Sequence, residues 1–134
     1  MVSALDVDPG KLIRKTAEHL KGKVPKPEFV GLVKTGCHCT RPPSDSDFWY
    51  VRCASILRQA YLVGTIGTNQ LRRKYGGRKR RGVRPERHSP AGGSTIRKAI
   101  QGLEKAGFLV KEKAGRTLSA KGRSLLDNSA KECK

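Results

Sequence analysis

The chain has little negative charge, few aromatic rings and no long apolar run. Only 11 of its 134 residues are Asp or Glu, against 29 Lys or Arg. The formal net charge is +18 and the isoelectric point lies near 10.4. So few acids cannot pair with that many bases, and self-repulsion of this size is relieved when a polyanion neutralises it. No apolar stretch approaches the roughly 20 residues that cross a bilayer. No basic amphipathic helix with a bulky apolar face is evident either, so a membrane-surface role is not expected. The first ten residues, MVSALDVDPG, carry acids where a secretory leader would be cationic, and no apolar core follows; the expectation is an intracellular chain.

Catalytic constellations are also scarce. His88 stands beside Ser89, with Ser94 nearby in a Gly/Pro-rich stretch, but no acid is placed to orient the imidazole as a triad needs. Asp45 and Asp47 are close enough in sequence to suggest a metal-dependent nuclease fragment, yet a helix cap explains them more simply. The run YGGRKRRG lacks the flanking strand and helix of a phosphate-binding glycine loop. Four cysteines include the cluster Cys37-His38-Cys39, half of a metal site, with only Cys53 and Cys133 left to complete it. Reduced thiols are the expectation and zinc the alternative. No enzyme activity, cofactor, metal or small-molecule substrate is expected.

What is present centres on Phe48 to Val63, FWYVRCASILRQAYLV. It contains neither Gly nor Pro. Trp49, Cys53, Ile56, Ala60 and Val63 make one helical row, and Tyr50, Ala54, Leu57 and Tyr61 a second beside it. A stripe that wide belongs to a helix buried against several neighbours. The polar ridge left over is Arg52, Ser55, Arg58 and Gln59. Its arginines either face a partner or pair with an internal acid.

Around this helix the chain reads as one domain over 1–134. Asp8-Pro9 starts a helix whose face is Leu12, Ile13, Ala17 and Leu20. A short helix is expected from Pro27 or Glu28 to Gly36. Thr40–Asp47 is loop, with Asp45 or Asp47 capping the central helix. Thr68 or Asn69 opens a short helix that ends at Tyr75. From Arg72 to Arg87, nine of sixteen residues are Lys or Arg: Arg72, Arg73, Lys74, Arg78, Lys79, Arg80, Arg81, Arg84 and Arg87. Only Glu86 opposes them. A mobile basic loop is expected at 76–93, with Tyr75 at its edge able to stack on a base. A helix at 94–106 presents Arg97 and Lys98, either as contacts or as an ordinary solvated face. A hairpin at 108–118 and a helix capped by Ser119 follow, and the tail at 128–134 is expected to fray.

This order (helix, short helix, helix, hairpin) is that of a winged helix, a mainly α bundle around a central helix with a short β-hairpin wing. Function does not follow from that fold alone, since winged helices bind DNA, RNA or protein. The dense one-signed segment is the functional signal: guanidinium groups grip phosphates bidentately and glycines allow close backbone approach. A nucleic acid is the expected partner.

The runs FWYVRCASILRQAYL (48–62), LRRKYGGRKRRGVRPERH (71–88), STIRKAIQGLEKAGFLVKE (94–112) and GRTLSAKGRSLLD (115–127) closely resemble one family, the archaeal and eukaryotic small-ribosomal-subunit protein nineteen-e. VPKPEFVGLVK (24–34) is similar too, so the resemblance covers nearly the whole chain. It implies a helical, winged-helix-like fold and no enzyme activity. It further implies a place in the head of the small subunit, bound to small-subunit rRNA beside neighbouring ribosomal proteins, and a need for the protein in pre-rRNA maturation. A cytoplasmic location follows, with nucleolar passage if the source is eukaryotic. By resemblance the rRNA surface comprises Arg52, Arg58, Arg97 and Lys98 together with the nine basic residues at 72–87. Phe48-Trp49-Tyr50 departs from the family's usual Trp-first trio, Cys53 stands where a small Ala is usual, and Cys37-His38-Cys39 has no family counterpart. The rival reading is a winged-helix transcription regulator that binds DNA.

Overall fold

The computed structural model describes residues 2–134. Its elements run α1 (Pro9–Leu20), α2 (Phe48–Val63), β1 (Thr65–Ile66), α3 (Thr68–Tyr75), β2 (Gly77–Arg81), β3 (Arg84–Ser89), α4 (Gly93–Lys105), β4 (Leu109–Glu112), β5 (Gly115–Leu118) and α5 (Ala120–Cys133). About 47% of the chain is helical. The strands form two antiparallel sheets: a three-stranded one in the order β1-β5-β4 and a two-stranded β2–β3 hairpin. The fold is therefore mixed, and "mainly α" describes it only approximately.

The central helix spans the residues its periodicity predicts. Trp49, Cys53, Ala54, Ile56, Leu57 and Ala60 are fully buried. α1, α4 and α5, with β1 and β5, surround it. Phe29 meets Trp49 edge-to-face with ring centroids 6.4 Å apart. Local chemistry sets the helix ends. Asp8 caps α1 by accepting the Lys11 N–H at 3.1 Å, with Pro9 at the first position. Ser119 caps α5 through the Gly122 N–H. α2 ends at Gly64, whose φ of +93° only glycine adopts easily. Asp47 sits at the N-cap position of α2 but makes no capping bond. Its carboxylate takes Lys21 Nζ at 2.9 Å instead, while its own N–H donates to Asp45.

Four sequence expectations need correction. Residues 27–36 are turns rather than a helix: in the middle of the segment Gly31 turns to φ +90°, out of the helical region. The basic stretch expected as a loop at 76–93 is largely a hairpin, because a tight turn at Gly82 (φ +71°) lets 77–81 pair with 84–89. The tail at 128–134 does not fray. α5 runs to Cys133 with Ser129 and Ala130 buried against the rest of the fold. β1, only two residues long, extends the 108–118 hairpin into a three-stranded sheet. Among the described residues, no helix is long and apolar enough to cross a membrane.

Candidate nucleic-acid interface

The basic residues come from three places. α3 carries Arg72, Arg73 and Lys74 in its last turn. Leu71 anchors that helix in the core, so its cations are directed away from the interior. The chain then enters the β2–β3 hairpin at Gly76. A Cβ there would lie 2.3 Å from the Ser89 carbonyl and 2.9 Å from Pro90 Cα, so the two legs can meet only because residue 76 is glycine. Arg72 closes the base of the hairpin. Its carbonyl accepts the Ala91 N–H and its Nε donates to the Ala91 carbonyl, both at 2.9 Å. The strands are five and six residues long, so the arm reaches roughly 17–20 Å.

Its register sets like charges opposite one another: Lys79 faces Arg87 and Arg81 faces Arg84, with Arg78 opposite His88. Such pairs destabilise a ladder, and a two-stranded ribbon is marginal to begin with. The only carboxylate relief is Glu86, which pairs with Arg78 at 2.9 Å. Arg81 donates to the Pro85 carbonyl across the turn. Val83 stands fully exposed at the tip. Arg80, Arg84 and Arg87 have no carboxylate within ion-pair distance among the described residues.

On α4, Arg97 and Lys98 are exposed while Thr95, Ile96, Ala99 and Ile100 are buried. Gly93, the first residue of that helix, lies against Arg72: a Cβ there would fall 3.3 Å from Arg72 Cδ. The base of the arm and the start of α4 are thus one surface, with a cleft of about 320 Å³ between Asn69, Arg72, Arg73, His88 and Pro90.

Arg52 and Arg58 do not stand free in solvent but are half-buried. The Arg52 guanidinium lies 4.0 Å from the centre of the Tyr75 ring and 5.1 Å from that of Phe48. Burial pulls its pKa below the usual arginine value, although Tyr75 and Cys39 oppose the shift. Tyr75 also bonds Ser55 Oγ through its hydroxyl at 2.6 Å, and burial holds its pKa above the ordinary phenol value. Tyr75 therefore serves as a platform for Arg52 rather than offering its own face to a base. Arg58 Nε is enclosed without a hydrogen-bond partner. The internal ion pair considered for these arginines is not formed, since no acid lies within ion-pair distance of either among the described residues. The link from Ser55 to Tyr75 escapes sequence reading because twenty residues separate them; the one hint is that Ser55 belongs to the polar ridge.

Cys37, His38 and Cys39 dock at the foot of the arm. Cys37 Sγ is 2.8 Å from Ser89 Oγ, and this contact, with Lys79 nearby, pulls the thiol below its usual pKa. His38 lies over Gly36 and Gly77, where Cβ atoms would clash with its ring. Among the described residues, no three His, Cys, Asp or Glu side chains gather as a metal-holding group.

Comparison with known proteins gives a consistent result. The family model described as "Ribosomal protein S19e" matches residues 3–134. The chain is 50% identical over 137 residues to the small ribosomal subunit protein eS19 of Aeropyrum pernix, covering 98% of this chain and 90% of that one. It is 43% identical to small ribosomal subunit protein eS19A of Schizosaccharomyces pombe, over 96% and 92% of the two chains. Identity to the eS19 of Oryza sativa subsp. japonica is 40%, over 93% and 88%.

Proposed function

The chain belongs to the ribosomal protein S19e family, whose members are structural components rather than enzymes, and from that premise we propose that it binds small-subunit rRNA in the head of the cytoplasmic small ribosomal subunit. There it neutralises phosphates with the β2–β3 arm, the end of α3 and the exposed face of α4. The whole of 1–134 acts as one domain of winged-helix type, with β4–β5 as its wing. Neighbouring proteins of the subunit head share the surface, and pre-rRNA maturation depends on its incorporation. In a eukaryotic source the protein passes through the nucleolus during assembly.

The observation that carries this reading is the cross-strand register of the arm. Lys79 opposite Arg87 and Arg81 opposite Arg84 form a ladder of like charges whose repulsion a polyanion would relieve. The exposed Arg97 and Lys98 extend the same cationic surface along α4. Most such contacts go to phosphate and fix position rather than read sequence.

Arg97→Ala with Lys98→Ala tests the assignment. The variant is expected to keep the parent melting curve and to lose co-sedimentation with small subunits in high salt. Unchanged incorporation into pre-small subunits, with a normal melting curve, would sink the assignment. The transcription-regulator alternative predicts preference among duplex DNA sequences at physiological salt; the rRNA reading predicts binding with a steep salt dependence and no such preference.

A further inference from the structure

A second cleft, of about 220 Å³, lies between α1, α2 and the end of α3. Its walls are Ile13, Phe48, Val51, Arg52, Ser55 and Tyr75. Two features set it apart from the rest of the basic surface. The cleft is largely apolar, and the one charge in it, Arg52, is held in place. The Arg52 guanidinium rests on the Tyr75 ring at 4.0 Å, and that ring is fixed by the 2.6 Å bond from Tyr75 to Ser55. No carboxylate lies within ion-pair distance of Arg52 among the described residues, and its N–H groups have no protein hydrogen-bond partner there. A partly desolvated cation without a counter-ion is costly, and the cost is recovered when an anion arrives. The cleft is smaller than the roughly 300–1,000 Å³ of pockets for drug-sized ligands. It has room for one flat ring beside one anionic group.

We propose that this cleft holds a single unpaired RNA nucleotide, its base on the Ile13–Phe48–Val51 wall and its phosphate on the N–H edge of Arg52. The inference rests on the rRNA-binding reading above and makes it specific. The arm grips any RNA backbone, while this cleft requires a nucleotide splayed out of its stack. Unstacked bases on apolar and aromatic side chains, with a planar guanidinium alongside, are the usual means by which proteins recognise irregular RNA. Tyr75, from the end of α3, and Ile13, from α1, meet on α2, so the cleft forms only in the folded chain. Its position, one residue before the arm begins at Gly76, places the two modes of binding side by side.

The test uses the full chain and two RNA duplexes with the same base pairs and the same number of phosphates, one fully paired with a single-nucleotide overhang and one with a single-nucleotide bulge carrying 2-aminopurine. Wild-type protein is expected to bind the bulged duplex about tenfold more tightly, the scale of one stacked base, and to change the 2-aminopurine fluorescence. Arg52→Lys keeps the charge but loses the planar fork. It is expected to lose the preference for the bulge, so that the two duplexes bind with equal affinity. If that variant does not keep the parent melting curve, Val51→Ala, on the rim, is expected to reduce the same preference severalfold. Equal wild-type binding of both duplexes, with a steep salt dependence, overturns this inference and leaves the rRNA reading standing. Binding of neither duplex overturns both.

Discussion

The molecule contains two antiparallel hairpins, β2–β3 and β4–β5, that are held in opposite ways. β5 is the middle strand of three, bonded to β1 on one side and β4 on the other. Phe108 and Leu109 enter the core at its edge. Arg116 on β5 pairs with Glu104 on α4, fastening sheet to helix. The β2–β3 arm has no third strand, and no residue from Arg78 to His88 is buried. It is held at its foot and nowhere else. Charge makes the contrast sharper: the cation of β5 has an internal acid, whereas the arm sets cation against cation. One hairpin is completed by the fold, and the other waits for something outside it. Attachment to the core and exposure of unpaired charge thus vary inversely, and this divides residues that stabilise from residues that bind.

The largest expected effect breaks the attached hairpin. Phe108→Ala empties a fully buried site between α4 and the sheet and should cost about 3–5 kcal/mol, read as a lower midpoint in urea. A drop under about 1 kcal/mol would mean that the β4–β5 hairpin is no better anchored than the arm. In the arm, Arg80→Ala with Arg84→Ala should leave the midpoint within about 0.5 kcal/mol. The same pair should make the salt dependence of RNA binding shallower, by close to one in slope for each phosphate no longer neutralised. A large fall in stability with unchanged binding would reverse the two roles.

The last effect, absent at neutral pH, concerns the core both hairpins flank. Burial pushes the Cys53 thiol from its usual 9.0 up to about 12. The folded state thus disfavours the thiolate. Its contribution to stability is complete below pH 9 and is lost as pH climbs from 9 toward about 12. Urea midpoints should therefore fall across that range, and Cys53→Ala should flatten the fall. An identical slope in the variant would assign the pH dependence to other groups.

The helices are legible in the sequence where burial follows a period. α1 and α2 emerge with their observed ends because apolar rows agree with the Asp8 cap of the one and the Gly64 stop of the other. The arm is not legible as a hairpin, since strand reading relies on alternation of polar and apolar residues and both faces here are basic. Its residues stand out as a charged unit while its backbone stays hidden. The second half of α5 is obscure for a related reason: Ser129 and Ala130 are buried but read as surface residues. The segment at 27–36 shows the converse, with Phe29, Val30, Leu32 and Val33 at suggestive spacing but Gly31 deciding the backbone. In the candidate site, residue types are legible and their surroundings are not. Nothing local announces that Arg52 lies on Tyr75, because that contact depends on how α3 returns to α2.

The paired bonds between Arg72 and Ala91 carry a consequence for how this protein can be altered. They close the foot of the arm without using any residue of the arm itself, and Gly36 and Thr35 brace the same point through Ala91 and Gly92. Residues 78–88, inside the Gly77 and Ser89 that meet His38 and Cys37, are therefore an interchangeable cassette on a permanent socket. Its length, charge or apex can be rewritten, or the whole piece traded for a short turn, and the scaffold beneath has no reason to register the exchange.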